Sequence, residues 1–303
     1  MATLKGQNLR VGTLDGATFT VFAMATTNTI TRNTQTDDAS TKDDAGLSSK
    51  PTVTSKSTQI QVESLNVLDM AVMLNAIQNL EPFTLMWDET DTKNNQTALQ
   101  ADLSRCGQFY LTDATFTFND RENSAKSLQF ISTGPITDTG FGDITTTVAS
   151  SGSYTKGQFV RLFLSSDNIT APAKVIAASK QLSFHVSVAV ENATTKDTEG
   201  NDEVQEPTGI TFDITTNALV RSNDTITSGV DGQDFASIEK IYEACEPVKF
   251  EIANVSGANQ RTKGSVIVSG SVILATLTSN NPNKQNADYT ANMTGYGPYI
   301  VAV

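Results

Sequence analysis

The chain carries one segment twice, and that repetition limits what it can fold into. The first copy runs from Asn66 through Asp69, Met70, Met73, Leu74 and Ile77 to Glu81-Pro82. The second runs from Asp231 through Asp234, Phe235, Ile238, Ile241 and Tyr242 to Glu246-Pro247. In both, apolar residues recur at three- and four-residue steps, which puts them on one face of a helix. Asn66 and Asp231 are expected to cap these helices, with Asp69 and Asp234 three positions later at the positive end of the helix dipole. Proline disfavours helical geometry in the residue before it, so the Glu-Pro pair closes each copy. The spacing predicts amphipathic helices of about four turns.

Other landmarks recur in the same order. Lys5-Gly6-Gln7 returns as Lys156-Gly157-Gln158, Thr41-Lys42-Asp43 as Thr195-Lys196-Asp197, and Gly134-Pro135 as Gly297-Pro298. The chain therefore reads as a duplicated unit, with residues 1–136 and 156–303 as the copies. Residues 137–155, rich in Gly, Ser and Thr, read as the linker between them. Outside the helices the pattern is that of strands. Leu182, Phe184, Val186, Val188 and Val190 alternate with Gln181, Ser183, His185 and Ser187, and Ile210, Phe212 and Ile214 alternate with Thr211, Asp213 and Thr215. Ile60 and Val62 likewise alternate with Gln59, Gln61 and Glu63. Two polar stretches, 33–57 and 192–208, are too long for ordinary connections and read as functional or disordered loops. The expected fold is mainly β: two tandem antiparallel β-sandwich or half-barrel domains, each flanked by one α-helix.

Charge and chemistry narrow the function. There are 33 acidic and 21 basic residues, for a net charge of −12. Acids outnumber bases in both copies, which disfavours tight binding to a phosphate backbone. No apolar run approaches the roughly 18 residues of a membrane span, and the N-terminus lacks a signal-peptide pattern, so cytoplasmic synthesis is expected. Cys106 and Cys245 fall at non-equivalent places in the two copies and are expected to be free thiols. The single histidine, His185, has no second histidine or cysteine to build a metal or catalytic centre. The acidic run Asp197, Glu199, Asp202, Glu203 and Glu206 lacks the spacing of a calcium loop. No catalytic, cofactor-binding or metal-binding residue is expected, and no enzyme.

The doubled arrangement resembles the major tail tube proteins of long, flexible-tailed bacteriophages. The likeness rests on Lys5-Gly6 and Lys156-Gly157 at a strand start and on a polar loop with Thr-Lys-Asp before the strand that enters the helix. The mid-domain helix and a final strand closing on Gly-Pro complete it. The resemblance implies a sandwich whose sheet joins those of neighbouring copies into a barrel around a channel, with rings stacked into a tube. For a duplicated member it implies three subunits in a pseudo-six-fold ring. From the residues alone, the polar strand faces suit either a water-filled channel or the solvated outside of a sheet. The resemblance assigns Gln59, Gln61, Glu63, Thr211, Asp213 and Thr215 to the channel lining. It assigns the loops holding Thr41, Lys42, Asp43, Thr195, Lys196 and Asp197 to contacts between rings. The implied partners are further copies of the chain, a tape-measure protein and passing DNA in the lumen, and tail terminator and baseplate proteins at the ends. No membrane partner is implied; the location would be a virion tail assembled in the host cytoplasm. A pair of adhesive or carbohydrate-binding sandwiches is the alternative. A lone Trp87 and 7% aromatic residues offer it few sugar-stacking platforms.

Overall fold

The computed structural model describes residues 6–40, 49–89, 104–138, 144–148, 155–198, 200–221, 232–256 and 261–302. The first half contains strands β1 (Leu9–Asp15), β2 (Thr18–Val21), β3 (Ala25–Asp38) and β4 (Pro51–Ser64), then helix α1 (Met70–Asn79). Strands β5 (Phe83–Glu89), β6 (Arg105–Asn119), β7 (Ala125–Ser132) and β8 (Thr145–Val148) follow. The second half repeats the order with β9 (Val160–Leu164), β10 (Lys174–Val175), β11 (Ser179–Asn192), β12 (Gln205–Leu219) and helix α2 (Phe235–Ala244). It ends with β13 (Val248–Ser256), β14 (Thr262–Asn280), β15 (Asp288–Gly295) and β16 (Ile300–Val301). A short 3-10 turn precedes the first strand of each half, at Gly6–Asn8 and Gly157–Phe159.

The repetition extends to strand register. Ala25 faces Ser64 across β3 and β4, as Ser179 faces Ala218 across β11 and β12. Gln59 pairs with Ile131, as Asp213 pairs with Thr294. The ladder from β6 to β7 slips between Leu111 and Asp113, and the ladder from β14 to β15 slips at the equivalent step between Leu274 and Thr276. These bulges bend strands that serve two layers. The early part of β6 pairs with β5 and its later part with β11; the early part of β14 pairs with β13. One layer then runs β3-β4-β7-β6-β11-β12-β15-β14 through both halves, joined where β6 meets β11. Among the described strands the ladders are antiparallel except between β2 and β8. The helices and remaining strands cover the inner face of this layer. One apolar cluster spans the molecule, from Val11, Met73 and Phe130 to Phe184, Phe250 and Tyr299. The Tyr299 hydroxyl donates to the Leu74 carbonyl at 3.0 Å, tying the end of the chain to α1.

Several expectations are revised. Residues 33–57 are not a loop: β3 and β4 pair out to Asp38 and Pro51. Likewise the second connection shrinks to 193–204, because β11 and β12 pair out to Asn192 and Gln205. Within 137–155, residues 145–148 pair with β2 instead of hanging free. The helices are shorter, at 10 residues each, and Asp69 and Asp234 are the capping positions instead of Asn66 and Asp231. Asn66 accepts from the Leu68 amide in the preceding turn, and Asp231 lies outside the described residues. Asp234 accepts from the Ser237 amide at 2.9 Å, whereas Asp69 makes no cap bond because its carboxylate is held by Lys126. The buried face of α1 is Met70, Met73, Leu74 and Ile77, as its spacing predicts. On α2, Tyr242 turns to solvent at 42% exposure, leaving Ile238 and Ile241 to face the core.

Candidate functional site: a polar sheet face between two open edges

The long layer buries one face and exposes the other. Ile60, Val62, Leu128, Ala114, Phe116, Phe184, Phe212 and Ile214 point into the core. On the opposite side an unbroken row of facing residues crosses seven strands: Thr27, Glu63, Ser127, Thr115, His185, Asp213 and Thr294. Gln59, Glu63, Thr211 and Asp213 are exposed there, and Gln61 and Thr215 are half-buried, so the six residues singled out in the sequence share one face. Polar side chains on it bond one another. Ser187 and Thr211 hydroxyls lie 2.8 Å apart, Thr215 donates to Asn292 at 3.0 Å, and Asn292 donates to Thr276 at 2.8 Å. Glu63, Asp113 and Asp213 stand on the face among Thr, Ser, Gln and Asn; His185 is the basic group of the row, and neither the row nor these neighbours include lysine or arginine.

His185 has partners that its sequence neighbourhood does not reveal. Its Nε2 lies 2.7 Å from Asp113 on β6 and its Nδ1 3.4 Å from Asp213 on β12, so it bridges the two halves where they join. Burial works against its charge, but the hydrogen bonds and charges of Asp113, and then of Asp213, outweigh burial and raise its pKa. A raised folded pKa adds stability that is full below the unfolded value and lost as pH rises through the folded one. Melting temperature should therefore fall as pH is raised above the ordinary histidine value of about 6.5, and His185→Gln should flatten that slope. A slope unchanged in the variant would refute the assignment. Among the described residues no three His, Cys, Asp or Glu side chains converge to hold a metal ion.

The layer ends in two strands with unpaired borders. Among the described residues β3 pairs only with β4, and beyond Val272 β14 pairs only with β15. The seam between β6 and β11 indicates what such borders accept. There Asp113 to Asn119 pair antiparallel with Ser187 to Gln181, joining a β14-type border to a β3-type border. Gly157 packs against this seam so closely that a Cβ would lie 2.3 Å from the Asn119 carbonyl oxygen. Gly6 is its equivalent in the first half, and a Cβ there would meet nothing within 4 Å. Phe184, fully buried at the seam, has Ile30 as its half-buried equivalent on the open border.

Of the loop residues, Thr195, Lys196 and Asp197 are exposed in the connection between β11 and β12, whereas Thr41, Lys42 and Asp43 lie outside the described residues. That connection rests on the first half, with Lys56 bridged to Asp202 and Ser55 donating to Glu203 at 2.7 Å. Cys106 and Cys245 are both free thiols. None of the described helices is long and apolar enough to cross a membrane.

Fold and face together define a mainly-β protein with a doubled polar sheet that ends, among the described residues, in two borders without a strand partner. No protein-family model matches the chain, and no curated protein sequence matches it. Solved structures do. A chain from the tail of an empty gene transfer agent particle, refined with C6 helical symmetry, aligns over 48% of this chain and 95% of its own. The identity is 14% and the TM-score 0.36. A chain from the virion of a native gene transfer agent particle aligns over 49% of this chain and 99% of its own, at 14% identity and TM-score 0.35. The SPP1 tail tube aligns over 48% and 79%, at 13% identity and TM-score 0.33.

Proposed function

We propose that the chain is a structural virion subunit that joins edge to edge with copies of itself into rings, which stack as the tube of a phage tail. In this reading residues 1–136 and 156–303 are two tube domains tied by 137–155, and three chains close a pseudo-six-fold ring. The carrying observation is the seam: the molecule joins its own halves by the same two kinds of border that it leaves unpaired. A head-to-tail contact repeats one rotation and can close a ring, and closure removes the hazard of open strand edges. The polar face then lines the lumen, with Gln59, Gln61, Glu63, Thr211, Asp213 and Thr215 among the lining residues. Its acids repel phosphates, so a genome slides through without adhering. A tape-measure protein would fill the lumen before DNA does, and terminator and baseplate proteins would cap the ends.

Electron microscopy with mass measurement tests this on the purified protein. Rings with a central opening, at three times the chain mass of 32.4 kDa, are the expected result. Monomers at every concentration would refute it and favour a binding module. Tubes carrying Glu63→Lys and Asp213→Lys should retain duplex DNA at low salt where wild-type tubes do not. Equal retention by both would contradict the placement of these residues in the lumen.

A further inference from the structure

The two helices begin and end at matching residues, yet they are covered differently. Asp69 matches Asp234 at the N-cap, and Leu80 matches Cys245 as the left-handed residue that closes the helix. Each helix packs on the equivalent strand of its own half, α1 on β6 and α2 on β14. On α1, Leu74 and Ile77 are buried, and Gln78 and Leu80 are half-buried. Their counterparts on α2, namely Glu239, Tyr242, Glu243 and Cys245, are all exposed. The last two turns of α2 are therefore bare where those of α1 are covered.

The cover on α1 comes from the other half of the chain. The Tyr299 hydroxyl donates to the Leu74 carbonyl, and the Gln78 side-chain amide donates to the Tyr299 carbonyl. The first half holds the same kind of segment in the same place. Thr137 bridges to Cys106 as Ile300 pairs with Ser269. Ile136 lies over Gly107 as Tyr299 lies over Gly270. The difference is again in cover: Tyr299 is buried, whereas Ile136 is half-buried. The chain thus uses one helix and one Gly-Pro segment on each other and leaves the second helix and the second segment less covered.

We propose that α2 of one copy packs on the Pro135-Ile136 segment of the next copy in the ring, as α1 packs on Pro298-Tyr299 within the chain. This rests on the edge-to-edge reading above and adds a helix contact to the sheet contact. At the seam, the half that supplies the β14-type border also supplies the helix, and the half that supplies the β3-type border supplies the Gly-Pro segment. At the junction between copies, β14 accordingly brings α2, and β3 brings Ile136. The contact removes Tyr242 from water. It is weaker than its internal counterpart. Ile136 has no hydroxyl to reach the Glu239 carbonyl, and the carboxylate of Glu243 can accept a hydrogen bond but not donate one to the Ile136 carbonyl. The halves of one chain are thus held more firmly than neighbouring copies.

The test uses the full chain with Ile136→Tyr and Glu243→Gln together, which copies the two residues of the internal contact. Mass measurement reads the concentration at which rings form. Two regained hydrogen bonds should lower that concentration about tenfold. Tyr242→Asp should raise it by a similar factor. Hydroxyl-radical footprinting of the wild-type chain gives a reading that needs no variant: Tyr242 should be reactive in the monomer and protected in the ring. Rings in which Tyr242 stays as reactive as in the monomer would overturn the proposal and leave the edge-to-edge reading standing. A ring-forming concentration that Ile136→Tyr with Glu243→Gln does not lower would overturn it in the same way. A wild-type chain that stays monomeric at every concentration would instead refute the edge-to-edge reading, and the helix contact with it.

Discussion

Gly6→Ala is expected to leave the isolated chain as stable as wild type and to abolish its assembly, whereas Gly157→Ala should damage the fold itself. The two glycines occupy equivalent places at the start of each half. At Gly157 an added methyl would lie 2.3 Å from the Asn119 oxygen and 2.4 Å from its nitrogen, and backbone cannot move aside as a flexible side chain can. The resulting strain should cost about 3 kcal/mol, read as an earlier denaturant midpoint. At Gly6 the same methyl meets nothing within 4 Å, so the change in the single chain should stay within about 0.5 kcal/mol. If the β14 border of a second copy fills that space, the same strain falls on the junction, weakening each about 100-fold. Sedimentation at matched concentrations separates the outcomes. A Gly6→Ala protein that polymerises like wild type would remove the case for a neighbour at that position.

Asp69→Ala is the second large effect. Lys126 is buried with its side chain 1% exposed, and its amine is bonded by both oxygens of Asp69 at the start of α1. Burial lowers the Lys126 pKa, and the charge and hydrogen bonds of Asp69 oppose that shift. Removing the carboxylate strands a buried cation, which should cost about 3–5 kcal/mol near neutral pH. The sign of the pH dependence follows. A lysine whose folded pKa is depressed destabilises the fold below that value, and the penalty fades as pH rises towards the unfolded value near 10.4. The variant should therefore regain stability between about pH 7 and pH 10, and Lys126→Met added to Asp69→Ala should restore most of it at neutral pH. A denaturation midpoint within error of wild type would show that the pair is dispensable. The second half solves the same problem differently. Tyr289 stands where Lys126 stands, its ring tilted at 50° to that of Phe235 with centroids 5.1 Å apart, and Asp234 is released to cap α2.

What the sequence made legible was whatever repeats or alternates. The duplicated landmarks, the buried face of α1 and the alternation on β11 and β12 all follow from spacing, because the core on one side imposes it. The outer part of the β3–β4 hairpin was hidden for the opposite reason. From Asn33 to Asp38 and from Pro51 to Lys56 every residue is exposed or half-buried, so no apolar period marks it. The remaining signal was the recurrence of β-branched threonine at 27, 29, 31, 34 and 36, a strand preference that the overall polarity outweighed. Asp113, 72 positions from His185, and Lys126, 57 positions from Asp69, are joined only by the fold. The Lys-Gly motif is visible twice, but its meaning, a backbone seam that excludes a methyl group at Gly157, arises only where the folded halves meet.

The proposed edge-to-edge contact has a definite register, taken from the seam. At the seam His185 faces Thr115; carried to the open borders, that pair becomes Thr31 on β3 of one copy and Thr278 on β14 of another. Cβ atoms directly opposite on paired strands lie about 4.5–5.5 Å apart, within reach of a short bis-maleimide. The measurement is crosslinking of a chain with Cys106→Ser, Cys245→Ser, Thr31→Cys and Thr278→Cys, resolved by denaturing electrophoresis. Edge-to-edge assembly predicts a ladder of covalent oligomers that ends in a closed species, with neither single-cysteine chain giving more than trace dimer. Dimers from Thr31→Cys alone, or no ladder in the double-cysteine chain, would contradict the account.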